Sequence, residues 1–146
     1  MRGLFILLLL SLLLLPPAVY ARDDIGSYSI KEALDLELSK EELGNDIKFF
    51  FGNQAHGKIL KNYGVVRTNK KTSAFGRSDL DACQWVFLSA MITLRDSALT
   101  EGANAVINIK SYYRNDLTSS EDTFQCGAGA FVAGVALVGT VVTLAE

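Results

Sequence analysis

Residues 78–102 read SDLDACQWVFLSAMITLRDSALTEG and hold the clearest helical pattern in the chain. Ser78 with Asp81 three residues later is typical of a helix start, and Gly102 is typical of a helix end. At about 100° per residue, seven small or apolar side chains share one side of this helix: Cys83, Val86, Phe87, Ala90, Met91, Leu94 and Ala98. The pattern therefore predicts one long helix from Asp79 to Glu101, with its broad apolar side packed on a sheet.

A second apolar stripe lies nearly opposite the first on the same helix. Its members are Trp85, Leu88, Ile92 and Leu99. A helix with two apolar sides has two surfaces to cover. The second stripe is either covered by the short helical turns of the acidic N-terminal segment, residues 22–46, or forms a surface for a partner, and both interpretations stay open.

Several runs of β-prone residues flank the helix. Ile47–Phe51 and Tyr63–Thr68 are predicted as short strands, with Gly57 and Gly64 as turns. Ala105–Tyr113 alternates, and it predicts a strand with Ala105, Ile107 and Ile109 on one face; residues 115–123 are predicted as a polar loop.

The sequence from Cys126 to Ala145 carries no charge and is long enough to cross a membrane as a helix. Gly129, Gly134 and Gly139 recur every five residues, so they would spiral around a helix, and glycine and valine are weak helix formers. We therefore predict a buried, glycine-kinked strand over residues 130–144 and no transmembrane segment in the processed chain.

Residues 1–21 have the features of a secretory signal peptide. Arg2 precedes an apolar run from Leu4 to Leu15, and Pro16-Pro17 and small residues lead to Ala21. The run is too short to span a bilayer, so we expect cleavage after about Ala21 and export to the periplasm.

Cys83 and Cys126 are the two cysteines of the chain. An exported protein meets an oxidising compartment, so a disulfide between them is expected. The predicted fold class is α+β, with one long helix packed on a small, mainly antiparallel sheet and stapled by this bond. The predicted organisation is a signal peptide (1–21), an acidic segment with short helical turns (22–46) and an α+β domain (47–146).

Charge is unevenly distributed along the processed chain. The sequence has 14 Lys+Arg and 16 Asp+Glu, and removal of Arg2 leaves 13 against 16, a net charge of −3, which argues against a nucleic-acid partner. Residues 22–46 hold eight acids and three bases, whereas residues 47–78 hold seven bases and no acid. The bases that could form a face for an anionic partner are Lys58, Lys61, Arg67, Lys70, Lys71 and Arg77. The alternative is that they neutralise the acidic segment.

Catalytic patterns are weak in this sequence. Residues 52–58, GNQAHGK, resemble a phosphate-binding loop, but Ile59 stands where a hydroxyl would bind Mg²⁺, and too few residues follow for the helix that such a loop needs. His56 is the single histidine, and a small metal-binding protein or a hydrolase-like enzyme using His56 is the alternative function. We expect no cofactor and no enzymatic activity.

Ser29 and Ser39 are each followed, three residues later, by a glutamate. This spacing predicts a capping box at the start of a short helix in each case. Both helices belong to the acidic segment, and Gly44 is expected to end the second of them.

Several motifs together resemble a family of small exported Gram-negative proteins of unknown function, many of which carry a label taken from the excinuclease ATPase subunit. They are NKKTSAFGRSD (69–79), ACQW (82–85), GANAVINI with SYY (102–113), and Cys126 with AGVAL (133–137). An excinuclease ATPase needs intact phosphate loops and zinc-binding cysteines, which this sequence lacks.

More distantly, the helix, the GANAV motif and the strand that follows are similar to α+β domains of the so-called heavy-metal-binding bacterial family and of the lipoprotein sensor of the Rcs envelope-stress pathway. That resemblance implies a disulfide-bonded domain that acts by binding partners. We therefore expect an exported, non-enzymatic binding or envelope-associated protein, whose partner is an envelope protein or an anionic surface.

Overall fold

The computed structural model describes residues 22–146, and the signal peptide predicted for residues 1–21 lies outside the described residues. In chain order the elements are β1 (Asp24–Ser29), α1 (Ile30–Asp35), α2 (Glu37–Leu43), β2 (Lys48–Phe51), β3 (Ile59–Ser73), α3 (Asp79–Glu101), β4 (Ala105–Tyr113), β5 (Asp116–Thr118), β6 (Thr123–Ala128) and β7 (Val132–Leu144). The α+β class is confirmed.

All seven strands belong to one sheet, in which β7 is the central strand. One edge of β7 pairs with β3, and the other pairs with β4 and, at Ala133 and Gly134, with β6. β1 extends the sheet beyond β6, β5 forms a hairpin with β4, and β2 lies parallel to β4. The sheet is thus mainly antiparallel as predicted, but the expectation that it is small is wrong.

Helix α3 has the predicted bounds, and its broad apolar side forms the main core with the sheet. The Ser78 hydroxyl accepts a hydrogen bond from the Asp81 N–H at 3.1 Å, and Gly102 ends the helix in the left-handed conformation. At the centre of the core, the ring of Phe87 stacks on that of Phe124 with a centroid distance of 4.1 Å.

A bulge in β4 changes which side chains face the helix. Asn108 has a φ of 52°, and the register with β7 shifts between Ile107 and Lys110. Val106 and Ile109 therefore both pack in the main core, whereas Ala105 and Ile107 pack in a second cluster with Val142, Leu144 and Phe50. The expectation that Ala105, Ile107 and Ile109 share one face is wrong, because the extra residue reverses the alternation.

Strand β3 spans 15 residues, so the predicted strand Tyr63–Thr68 was much too short. Gly64 was predicted as a turn, but it lies inside the strand, with a φ of 103°, where the register with β7 is irregular. Residues 115–123, predicted as a loop, contain the short strand β5. β7 covers the predicted kinked strand except for its first two residues.

The N-terminal segment joins the same core through α1 and α2, which supply Ile30, Ala33 and Leu43. Ser29 caps α1 as predicted, but Ser39 is not a cap: it is buried within α2 and donates a hydrogen bond to the Ala33 carbonyl at 2.7 Å. Strand β1 was not predicted. Among residues 22–146, no helix has both the length and the apolar character to cross a membrane.

Asn104 links the start of β4 to the end of β7. Its side-chain amide donates to the Leu144 carbonyl at 2.9 Å, and its side-chain oxygen accepts from the Leu144 N–H at 2.7 Å. We expect Asn104→Ala to lower the free energy of unfolding by about 1–3 kcal/mol, because two backbone groups lose their partner. Urea unfolding measures this loss, with the exposed Asn53→Ala as control. Equal stabilities for the two variants would contradict this role.

Candidate functional site

The predicted disulfide is present. Cys83 lies near the start of α3 and Cys126 in β6, and both are fully buried, with a Cα–Cα distance of 5.9 Å. The bond ties the long helix to the sheet. It also uses both thiols of the chain, so neither is left to bind a metal or to act as a nucleophile.

His56 lies exposed on the segment between β2 and β3. Its Nδ1 is 2.8 Å from the Gly57 carbonyl, and its ring meets the ring of Phe50 edge-on, with a centroid distance of 5.8 Å. Nowhere in residues 22–146 do three or more His, Cys, Asp or Glu side chains come close enough together to hold a metal ion. No observation in the described part of the chain favours a function that uses His56.

The six basic residues singled out in the sequence are spread along β3 and its two flanking loops. Side chains alternate along a strand, so Lys70 and Lys71 point to opposite faces of the sheet and the six bases do not form one face. Three of them stack over aromatic rings: Lys61 over Tyr63, Arg67 over Tyr112 and Arg77 over Trp85, at 4.8, 5.5 and 5.5 Å from the ring centroids.

Ion pairs do not link these bases to the acidic segment. Within residues 22–146, the carboxylates of the acidic segment that form ion pairs do so with Arg22, Lys31, Lys40 and Arg114. None of the six singled-out bases forms an ion pair in the described residues. The neutralising alternative is therefore not supported by direct contacts.

The second apolar stripe of α3 is partly buried and partly exposed. Leu88 is buried and Ile92 packs against the main core, whereas Trp85 and Leu99 are each 46% exposed. A shallow cavity of about 250 Å³ lies beside the Trp85 end. It is lined by Leu36, Leu38, Ser39, Arg77, Asp81, Gln84, Trp85 and Leu88. Helices α1 and α2 thus cover part of the stripe and leave its two ends exposed.

Two exposed phenylalanines form a feature that was not predicted, which we name the aromatic tip. Phe75 lies in the loop between β3 and α3 and is 72% exposed; Phe131 lies in the loop between β6 and β7 and is 67% exposed. Their rings are almost parallel, at an angle of 4° and a centroid distance of 6.0 Å. The Ala74 N–H donates to the Phe131 carbonyl at 2.8 Å and joins the two loops. No spacing in the sequence distinguishes these rings from core phenylalanines.

Two basic residues lie close to the aromatic tip in the sequence. Arg77 lies in the same loop as Phe75, and Lys71 lies four residues before it on β3. The nearby Asp79 carboxylate accepts a 2.6 Å hydrogen bond from Arg22, which also donates to the Gly129 carbonyl at 3.3 Å. The bond to Asp79 raises the pKa of the Arg22 guanidinium. Asp79, one of the two acids in the first turn of α3, is therefore already paired, whereas Arg77 and Lys71 form no ion pair in the described residues.

A groove between β3 and α3 is the other surface that was not predicted, and we name it the edge groove. It has a volume of about 410 Å³. Tyr63 and Val66 from β3, Val141 from β7, and Thr93, Asp96, Ser97, Thr100 and Glu101 from α3 line it. The groove lies between α3 and the face of the sheet that β3 and β7 form.

These features define an α+β domain with a buried disulfide and two exposed surfaces that suit binding. Comparisons of the chain with protein-family models, with curated proteins and with solved structures find no match. The function is therefore argued from the geometry of this chain.

Proposed function

We propose that this chain is an exported, periplasmic, non-enzymatic protein that associates with the anionic surface of an envelope membrane through its aromatic tip. The observation that supports this proposal is the pair of stacked, solvent-exposed rings of Phe75 and Phe131. Lys71 and Arg77, which form no ion pair in the described residues, lie within four residues of Phe75 in the sequence. Large apolar side chains at loop tips are costly to expose to water, and such patches commonly mark an interaction site.

The rings come from two different loops. The hydrogen bond from Ala74 to Phe131, together with the pairing of Ser73 with Val132, holds those loops side by side. Both rings can therefore enter an interface together without rearrangement of the sheet. Leu80 and Val132, which are also exposed, extend the apolar surface next to them.

The expected binding energy is moderate. Transfer of one phenylalanine side chain out of water is worth about 1.5–3 kcal/mol, and each Lys or Arg near an anionic surface adds about 1 kcal/mol. Arg77 and Lys71 supply such charges. After the cost of immobilising the protein, these contributions support weak, reversible association in place of permanent anchoring.

The test is flotation of the purified protein, processed as it is in the cell, with vesicles of phosphatidylethanolamine and phosphatidylglycerol. We expect the double variant Phe75→Ser/Phe131→Ser to lower the partition coefficient by roughly 30-fold or more, because two rings that are 72% and 67% exposed together lose at least about 2 kcal/mol of apolar transfer. The matched control is Leu60→Ser/Leu117→Ser, which removes two other exposed apolar side chains.

A charge comparison completes the test. Arg77→Gln/Lys71→Gln should weaken binding to the anionic vesicles and reduce its dependence on salt, while binding to zwitterionic phosphatidylcholine vesicles stays equally weak. If neither Phe75→Ser/Phe131→Ser nor Arg77→Gln/Lys71→Gln weakened vesicle binding, the proposal would be overturned. The proposal would also be overturned if the protein did not bind the anionic vesicles but captured an envelope protein, and if that capture required Phe75 and Phe131.

A further inference from the structure

Strand β3 has one edge that no other strand occupies. Within residues 22–146 its only partner is β7, which pairs with it from Ile59 to Ser73. The register is irregular before Gly64 and unbroken from Gly64 onward. On the other edge of such a strand, the N–H and C=O groups of alternate residues have no partner in the sheet and can accept an added strand.

Helix α3 packs on the face of the sheet next to β3, and the edge groove lies between this helix and the strands β3 and β7. Tyr63, Val66 and Val141 provide its apolar surface. On the helix side, Thr93, Ser97 and Thr100 each donate a hydrogen bond to the carbonyl four residues earlier, at 3.3, 2.9 and 2.9 Å. The side chains of these three residues are short and their donors are already satisfied, so they neither fill the groove nor demand a polar ligand.

The charge of β3 indicates the chemistry of an added strand. β3 carries Lys61, Arg67, Lys70 and Lys71 and no acid, and none of these bases forms an ion pair in the described residues. Side chains that lie opposite one another on neighbouring strands interact directly, and opposite charges there are favourable. A second copy of β3 would bring cations against cations, which disfavours pairing of this chain with itself.

The charge of the groove differs from the charge of β3 beyond it. Asp96 and Glu101 line the groove together with Tyr63, and Asp96 is bonded to Arg95. Arg67, Lys70 and Lys71 lie farther along β3. An acidic partner strand is therefore expected to place its carboxylates beside residues 67–71 and uncharged side chains beside Tyr63.

We propose that the free edge of β3 binds an extended, acidic segment of another protein by strand addition. Lysines on an edge strand also discourage pairing with uncharged strands. The same side chains that protect this edge from non-specific pairing thus make it selective for an acidic one.

The probe is a set of fluorescent peptides that match residues 65–73 in length, with glutamates at both odd and even positions among valine, threonine and leucine, so that carboxylates lie on both faces of the added strand. We expect binding at physiological salt, together with slower hydrogen exchange of amides in residues 65–73 of the intact protein. Peptides with lysine in place of glutamate should bind at least about tenfold more weakly. Lys70→Glu/Lys71→Glu should reverse this preference, and the control Lys31→Glu/Lys40→Glu, on α1 and α2, should leave it unchanged.

N-methylation of the peptide separates strand addition from simple charge attraction. Only alternate amides of an added strand face β3, so methylation of one alternate set should weaken binding by roughly tenfold or more and methylation of the other set should not. Equal affinity of the two methylated peptides would overturn the proposal. So would the absence of exchange protection in residues 65–73 at about 1 mM of every acidic peptide. The assay contains no lipid, so its outcome is independent of the vesicle test.

Discussion

Loss of the bond between Cys83 and Cys126 is expected to lower the free energy of unfolding by about 4 kcal/mol. The bond closes a loop across a sequence separation of 43 residues, which restricts the unfolded chain more than the folded one. Because small domains are stable by only about 5–15 kcal/mol, the loss is a large part of the total. Cys83→Ala/Cys126→Ala is the appropriate variant, since both positions are fully buried and a serine hydroxyl there would add a cost of its own.

Urea unfolding with and without a reducing agent measures this effect. The unmodified protein should lose stability on reduction, whereas the double alanine variant should be insensitive to the reducing agent. Equal unfolding midpoints for the oxidised and reduced protein would contradict the expected role. Alkylation of both sulfurs in the unreduced protein from the periplasm would show that the bond does not form in the cell.

Replacement of Phe87 by alanine is expected to cost about 3–5 kcal/mol of stability. Phe87 is fully buried, stacks on Phe124 and lies 6.3 Å, between ring centroids, from Phe51. These three rings come from α3, β6 and β2, so the cavity left by alanine would lie where the helix meets two separate parts of the sheet. Neither neighbour can fill it without losing its own contacts.

Chemical denaturation of Phe87→Ala, with Phe75→Ala as the matched control, measures this loss. Phe75 is an exposed phenylalanine, so its replacement should change stability by less than about 0.5 kcal/mol. The pair of variants also verifies that the aromatic tip can be altered without unfolding the protein. A similar loss for both variants would contradict the assignment of Phe87 to the core and Phe75 to the surface.

Local signals in the sequence were sufficient to predict α3 and β4 with their bounds. Ser78 and Gly102 mark the ends of the helix, and its apolar spacing is regular between them. Val106 already departs from the alternation, but the bulge at Asn108 could not be predicted, because only the register with β7 shows the extra residue. Similarly, Ser39 matches a capping box in spacing, but packing against Ala33 places it inside α2.

Strands that depend on a distant partner were the ones missed or shortened. β1 contains acidic and small residues that carry little strand preference, and it is a strand because β6 provides hydrogen bonds for it. β3 has polar side chains on both faces, as an edge strand does, so its pattern resembled a loop over much of its length. The free edge of β3 and the edge groove depend on the order of the strands in the sheet, which no local sequence pattern indicates.

The candidate binding residues were predicted in part. Charge counting identified the bases of residues 47–78, but only the strand geometry separates them between the two faces of the sheet. The second stripe was recognised from helical spacing, whereas its division into covered and exposed parts depends on where α1 and α2 pack. Exposure of Phe75 and Phe131 depends on the loops that carry them. Export and the periplasmic location remain predictions.

The position of β7 has a consequence for how quickly this protein can fold. β7 is the partner of β3, β4 and β6, and its pairing joins Leu144 to Ile59, residues far apart in the chain. To form contacts of such long range, the chain must close large loops before hydrogen bonds compensate the lost conformational entropy. Proteins rich in long-range contacts therefore fold in milliseconds to seconds, not microseconds. Before β7 docks, three strands expose unsatisfied edges, and this interval is when the newly made chain is most prone to aggregation.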